Sequence, residues 1–349
     1  MQQDGRDRRE TRAGAAGPPA DAAADGRAAA GRTGRVPQIP RDIAGRLAAA
    51  GLDPAEVTAA VVRALGEDLA GGADVTTAAT VPADARGRAE LVARSAGVVA
   101  GLPVAELAFW LVSARFPGSA ADPAVVMARA ADGDRVEAGQ TVLTVTGRIA
   151  PILTAERTVL NLLGHLSGVA TLTRQFADAV AGTGAVIRDT RKTLPGLRAL
   201  QKYAVRCGGG ANHRMSLSDA ALIKDNHVAA AGSVGAAYAA VAQRAAGLPV
   251  EVECDTLEQV ADAIEAGAGL VLLDNFDVGA MREAVALTAG RARLEASGRI
   301  TLASARAIAE TGVDYLAIGA LTHSAPVLDI GLDLSAAPPA APPPRNEQE

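Results

Sequence analysis

From Gly184 to Ala320 the chain alternates short runs rich in Val, Leu and Ile with stretches that suit helices, and this rhythm constrains its fold more than any other feature. The runs are AVIRD, ALIKD, PVEVEC, LVLLD, RLEAS and DYLAIG. Lys224, Glu253, Asp274 and Glu295 mark the ends of four consecutive runs and lie 29, 21 and 21 residues apart. That spacing fits repeated βα units, which form a parallel sheet. With this many units and no G-x-G-x-x-G turn, a β/α barrel is favoured over a dinucleotide-binding sheet. In such a barrel the strand ends converge on one face, where an active site is built.

The chain before Gly184 has a different pattern. Arg41 to Leu69 reads as helices separated by Gly51-Leu52-Asp53-Pro54, with Asp53 placed to cap the second helix and Pro54 suited to its first position. Between Ala89 and about Ile149, runs such as AELVARSAGVVAG and QTVLTVTG, with turn chemistry at Asp132-Gly133-Asp134, predict a sheet domain. Val159, Leu160, Leu162, Leu163, Leu166 and Val169 then repeat at helical spacing. They predict a long helix linking the two halves, with Thr154 as its N-cap. Residues 1 to 36 lack periodicity, and the end from Ser335 is proline-rich; both are expected to be disordered tails.

Composition narrows the function. At 349 residues and 49% hydrophobic, the chain supports two domains, each with a real core. A net charge of -5 and 2% aromatic residues supply neither a basic surface for phosphate backbones nor stacking platforms for single strands. Nucleic acid is therefore not an expected partner. The two cysteines, Cys207 and Cys254, make no disulfide framework or zinc spacing, which fits a reducing cytoplasm. No secretory h-region and no apolar run of membrane-spanning length is present, so a cytoplasmic protein without a membrane partner is expected.

Against that acidic background, residues 188 to 224 carry eight Lys or Arg against two acids. Positive charge concentrated this way focuses a field on anions. Arg198, Lys202 and Arg206 are spaced by four and also fit a solvated helix face. Arg191, Lys192, His213, Arg214 and Lys224 instead sit at strand ends or beside the run Gly208-Gly209-Gly210, and are read as binding residues. Arg grips carboxylate or phosphate with paired hydrogen bonds whereas Lys acts as a point charge, so the mixture suits a ligand with several anionic groups. Arg157 is expected in the first turn of the linking helix, where a cation opposes the helix dipole and needs another reason to be. Glu253 and Asp274, ending neighbouring strands, suit one hard cation such as Mg²⁺, with a metal-free acid/base pair as the alternative. Ser297-Gly298-Arg299 and Ile318-Gly319-Ala320 follow the last two strands, where barrels bind phosphate on backbone N–H groups. His165, His227 and His323 are read as structural, and Cys207 as a small buried residue without a base to activate it.

These residues resemble the quinolinate phosphoribosyltransferase family over roughly residues 55 to 334. The carriers are EDLAGGADVTT, ERTVLNLLGHLSGVAT, RDTRKTLPGLRALQKYAVRCGGGANHRMSLSDAALIKDNH, VEVEC, LLDNF, LEASGRI and YLAIGALTHS. The resemblance implies an α/β fold with an N-terminal α/β sandwich domain over residues 37–153 and an incomplete, TIM-like α/β barrel over residues 154–334. It also implies a homodimer in which Arg157 is lent across the interface. It assigns Thr190, Arg191, Lys192, His213, Arg214 and Lys224 to quinolinate and phosphoribosyl contacts, with Lys192 and Lys224 catalytic together with Glu253 and Asp274. Those two acids would be the metal side of the site, and Ser297, Gly298, Arg299, Ile318, Gly319 and Ala320 its phosphate loops. The chain departs from the pattern in the length of EDLAGGADVTT and in Arg299, where the family more often has a small or amide residue.

The implied reaction joins quinolinate to phosphoribosyl pyrophosphate, giving nicotinate mononucleotide, pyrophosphate and CO₂ in de novo NAD biosynthesis. Other readings stay open: a barrel aldolase using Lys224 or Lys192 as a Schiff-base nucleophile, a phosphate-binding or regulatory relative that kept the fold, and a different substrate, since paralogues associated with molybdenum transport share this fold.

Overall fold

The computed structural model describes residues 38–116 and 122–336. The first expected tail lies outside the described residues, and so does the second except for Ser335 and Ala336, which belong to a strand. The chain opens with α1 (Arg41–Ala49), α2 (Pro54–Leu69) and α3 (Val75–Thr80). Asp53 caps α2 by accepting from the Ala55 N–H at 2.7 Å, with Pro54 following it, as the sequence predicts. Asp74 caps α3 through the Thr77 N–H at 3.0 Å and the Thr77 hydroxyl at 2.6 Å, bonds that hold its carboxyl below the usual range.

Then come β1 (Arg86–Ala93), β2 (Gly97–Val98), α4 (Leu102–Ser113), β3 (Val125–Ala128), β4 (Arg135–Val136) and β5 (Thr141–Arg148). Helix α4 interrupts what the sequence suggests is all sheet; its Leu107, Phe109 and Leu111 are fully or almost fully buried. Strand β5 runs straight into α5 (Ile149–Ala179), so the long helix starts five residues before Thr154 and its N-cap is Arg148. Thr154 is therefore inside the helix and buried, and Arg157 is beyond the first turn, which removes the dipole argument for it. The six predicted core positions from Val159 to Val169 are all buried. A Cβ on Gly168 would collide with the Pro326 carbonyl oxygen, so only glycine lets the returning chain lie against α5.

The second half contains β6 (Val186–Arg188), α6 (Arg198–Cys207), β7 (Ala221–Ile223), α7 (Asp225–Ala231), α8 (Val234–Arg244), β8 (Val250–Cys254), α9 (Leu257–Glu265) and β9 (Leu270–Asp274). It ends with α10 (Val278–Thr288), β10 (Arg293–Ser297), α11 (Leu302–Ala309), β11 (Tyr315–Ala317), α12 (Ala320–His323) and β12 (Ile330–Ala336). Six strands form one parallel sheet in the order β6-β11-β10-β9-β8-β7. The two ends of that order, β6 and β7, are not paired with each other, so the barrel is incomplete.

Strand β12 leaves this body and pairs antiparallel with β1, from Ala93 opposite Ile330 to Gly87 opposite Ala336. The N-terminal sheet thus has the order β12-β1-β5-β3 and contains both early and late chain. Among the described residues, no helix is long and apolar enough to cross a membrane.

Candidate active site

The opening between β6 and β7 is bordered by the chain that follows β6 and the chain that leads into β7, which carry Arg191-Lys192 and His213-Arg214. Beside it lies a cavity of about 410 Å³ lined by Thr190, Arg191, Lys192, His213, Arg214, Lys224, Glu253, Asp274 and Ser297, with Leu222, Leu272, Glu295 and Ala317. Nine residues proposed from sequence therefore meet in one place. They come from the C-terminal ends of neighbouring parallel strands, where the topology must deliver them.

The cations crowd one another. Arg214 is held below the usual guanidinium range by burial and then by the charge of Arg191. Arg191 Nε and Arg214 Nε are buried without a hydrogen-bond partner among the described residues. Unpaired buried donors cost stability unless something accepts from them, and an anion in the cavity would. Opposite them, Lys224 Nζ donates to Glu253 Oε2 and Asn275 Nδ2 donates to Asp274 Oδ2 at 2.7 Å.

The proposed phosphate turns flank the cavity. Gly298 has φ 100° and a Cβ there would strike Asn275 Oδ1, so this turn requires glycine. Arg299, at φ 49°, occupies the left-handed region that Asn and Gly tolerate best, which gives a physical reason for a small or amide residue there. The Ile318 N–H is already donated to the Arg188 carbonyl at 2.9 Å, so it is not available to a ligand in this structure. Gly319 lies against the Lys192 side chain: a Cβ there would be 3.1 Å from Lys192 Cδ. Arg157 is exposed on α5 and does not line the cavity.

Behind the cavity, buried charges pair with one another. Lys202 is not on a solvated face; it is completely buried and donates to Asp189 Oδ1 at 2.6 Å and to the carbonyls of His213 and Arg214 at 2.6 and 2.9 Å. Arg198 and Arg206 do reach the surface. Glu295 does not end its strand but sits in the middle of β10, fully buried and paired with Arg188. Burial, and then the negative charge of Glu251, push its carboxyl up to about 8. Glu251, two residues before Glu253 on β8, lies with Oε2 2.8 Å from His213 Nε2. Among the described residues, His213, Glu251 and Glu295 form the one grouping of three potential metal-ligand atoms within 4.8 Å. The Arg188 guanidinium already donates to Glu295 Oε2, and His213 Nε2 lies in close contact with Glu251 Oε2.

The remaining histidines have local partners: His165 Nε2 lies 2.9 Å from Gln201 Nε2, His227 Nδ1 accepts the Lys224 N–H at 3.0 Å, and His323 Nδ1 lies 2.6 Å from Ser324 Oγ. Cys207 is half-buried, with burial pushing its thiol up to about 11, which leaves little thiolate.

Comparison with known proteins agrees with this geometry. Residues 74–167 match the family model for the quinolinate phosphoribosyl transferase N-terminal domain, and residues 169–333 match that for its C-terminal domain. A nicotinate-nucleotide pyrophosphorylase (carboxylating) from Mycobacterium leprae is 54% identical over 275 residues, covering 78% of this chain and 95% of the relative. A mitochondrial quinolinate phosphoribosyltransferase (decarboxylating) from Nicotiana glauca is 42% identical over 291 residues, covering 78% and 80%. The crystal structure of NadC from Streptococcus pyogenes superposes with a TM-score of 0.77 at 38% identity, covering 82% of this chain and 99% of that one.

Proposed function

This chain belongs to the quinolinate phosphoribosyltransferase family, and from that premise we propose how its own residues carry the family reaction. The enzyme transfers a phosphoribosyl group from phosphoribosyl pyrophosphate to quinolinate with decarboxylation, giving nicotinate mononucleotide, pyrophosphate and CO₂. The observation that carries the site assignment is the juxtaposition of Arg191, Lys192, Arg214 and Lys224 with Glu253 and Asp274 around a single cavity.

The cations bind the two ring carboxylates and orient the pyridine nitrogen toward the anomeric carbon of the sugar. The nitrogen lone pair forms the new C–N bond as the bond to pyrophosphate breaks. The positive charge now on the ring nitrogen stabilises the electron pair that stays on the adjacent ring carbon when its carboxylate departs as CO₂, and that pair then takes up a proton. Water exclusion by Leu222, Leu272 and Ala317 strengthens each charge interaction. Lys224 is ion-paired with Glu253, an arrangement that suits a carboxylate contact and not a Schiff-base nucleophile.

Glu253 and Asp274 fit a hard cation such as Mg²⁺. Each is an oxygen donor on a neighbouring strand, and Lys224 and Asn275 engage Oε2 and Oδ2, leaving Oε1 and Oδ1. When bound, the ion would stabilise negative charge on the departing pyrophosphate. The turn at Ser297, Gly298 and Arg299 and the chain at Gly319 and Ala320 would receive a phosphate. Arg157, exposed and not lining its own cavity, serves the partner subunit's site in a homodimer, within the cytoplasm.

Two assays test this reading. Quinolinate should yield nicotinate mononucleotide whereas nicotinate should not. Mixing Arg157→Ala and Lys224→Ala proteins, each inactive alone, should restore part of the activity through hybrid dimers; no recovery despite subunit exchange would overturn the shared site.

A further inference from the structure

His213 lines the cavity, yet both of its ring nitrogens are engaged within the protein. Its Nδ1 accepts the Arg214 N–H at 2.7 Å, so the ring proton is on Nε2. Nε2 lies 2.8 Å from Glu251 Oε2 and 3.5 Å from Glu295 Oε1, and an adjacent carboxylate favours a proton on that nitrogen. All three side chains are buried.

The peptide around His213 is fixed just as completely. The His213 N–H donates to Asp189 Oδ1 at 2.9 Å, and Lys202 Nζ donates to the carbonyls of both His213 and Arg214. The Arg214 side chain is tethered by Nη1 to the Ala220 carbonyl at 2.9 Å, while its Nε has no partner among the described residues. Arg214 and His213 also form the wall between the anion cavity and a second one of about 280 Å³ lined by Arg188, Asn212 and Glu251. A side chain in a wall between two cavities has little packing to hold it, so hydrogen bonds must.

We propose that Glu251 is a positioning residue for the quinolinate site, acting through the His213 ring on Arg214. Glu251 selects the His213 tautomer whose Nδ1 is free to accept the Arg214 N–H, and that bond sets where the Arg214 guanidinium enters the cavity. His213 on this account contributes no hydrogen bond to substrate. The inference rests on the cavity being the quinolinate site, but its spectroscopic consequence does not depend on turnover.

The test combines ¹⁵N-histidine NMR of the full chain with steady-state kinetics. In the wild type, the His213 signals, identified by their loss in His213→Gln, should be those of a neutral ring protonated on Nε2. In Glu251→Leu that signature should give way to mixed tautomers. The KM for quinolinate should then rise on the order of tenfold or more, with a smaller change in kcat, because a displaced guanidinium weakens orientation. Glu251→Gln keeps an oxygen acceptor and should hold KM within about threefold of the wild type. Adding His213→Gln to Glu251→Leu should cost little more than either alone, as expected of residues acting in series.

An Nδ1–H tautomer in the wild type overturns the proposal whatever the kinetics. So does an unchanged KM in a folded Glu251→Leu variant, or fully additive losses, which would make His213 a substrate contact in its own right. If Glu251→Leu fails to fold, the wild-type tautomer and the Glu251→Gln kinetics still decide.

Discussion

Lys202 Nζ lies 2.6 Å from Asp189 Oδ1, and neither side chain exposes any surface. Burial alone pushes the Asp189 carboxyl up and the Lys202 ammonium down, and their mutual attraction opposes both shifts. Asn212 Nδ2 and the His213 N–H also donate to Asp189, so the pair organises the loop that presents Arg214. Lys202→Met leaves a buried carboxylate uncompensated and should cost roughly 3–5 kcal/mol in urea unfolding. The double variant with Asp189→Asn should recover part of that loss; a single variant within about 1 kcal/mol of wild type would contradict the account.

Arg191→Ala and Lys224→Ala should each remove most turnover while leaving the unfolding midpoint nearly unchanged, since both side chains face the cavity and not the core. Circular dichroism melts alongside the product assay separate the two effects. Retained activity in both variants would sink the assignment.

Arg299 bears a left-handed backbone angle that costs an ordinary residue on the order of 1 kcal/mol relative to Asn or Gly. Arg299→Asn should therefore raise stability by roughly 0.5–1 kcal/mol. The change in KM for phosphoribosyl pyrophosphate in the same variant measures whether the Arg299 side chain makes a phosphate contact.

Glu295 links stability to pH. Its carboxyl is pushed up to about 8 in the folded chain, from 4.5 for an ordinary Glu, by burial and then by Glu251. Between those values the folded chain holds a proton that the unfolded chain lacks, so this stabilising contribution is complete below about 4.5 and is lost as pH rises through about 8. Glu295→Gln titrates in neither state and should show a shallower fall in melting temperature from pH 5 to 9. Parallel curves for the two proteins would contradict the linkage.

The fold and much of the site were legible because they depend on local pattern. Strand period, helical spacing and cap chemistry located β6 to β11, the core face of α5 and the start of α2, and the chain ends of the strands located the cavity. What stayed hidden depends on partners distant in sequence. Lys202 looks solvated until Asp189 and two carbonyls, supplied by other segments, surround it. The start of α5 is hidden in the sequence because β5 enters it without a turn residue, leaving Thr154 as the nearest cap signal. Glu251 carries a sequence signal: in VEVEC it lies two residues from Glu253, so alternation along the strand puts both on the same face. Glu295 and Ser297 are related in the same way.

In the proposed reaction one cavity first joins quinolinate to the sugar and only then releases CO₂. Carboxyl-labelled quinolinate should release CO₂ only when phosphoribosyl pyrophosphate and Mg²⁺ are both present, in amounts matching the nicotinate mononucleotide formed. Release from quinolinate without the sugar phosphate would contradict it.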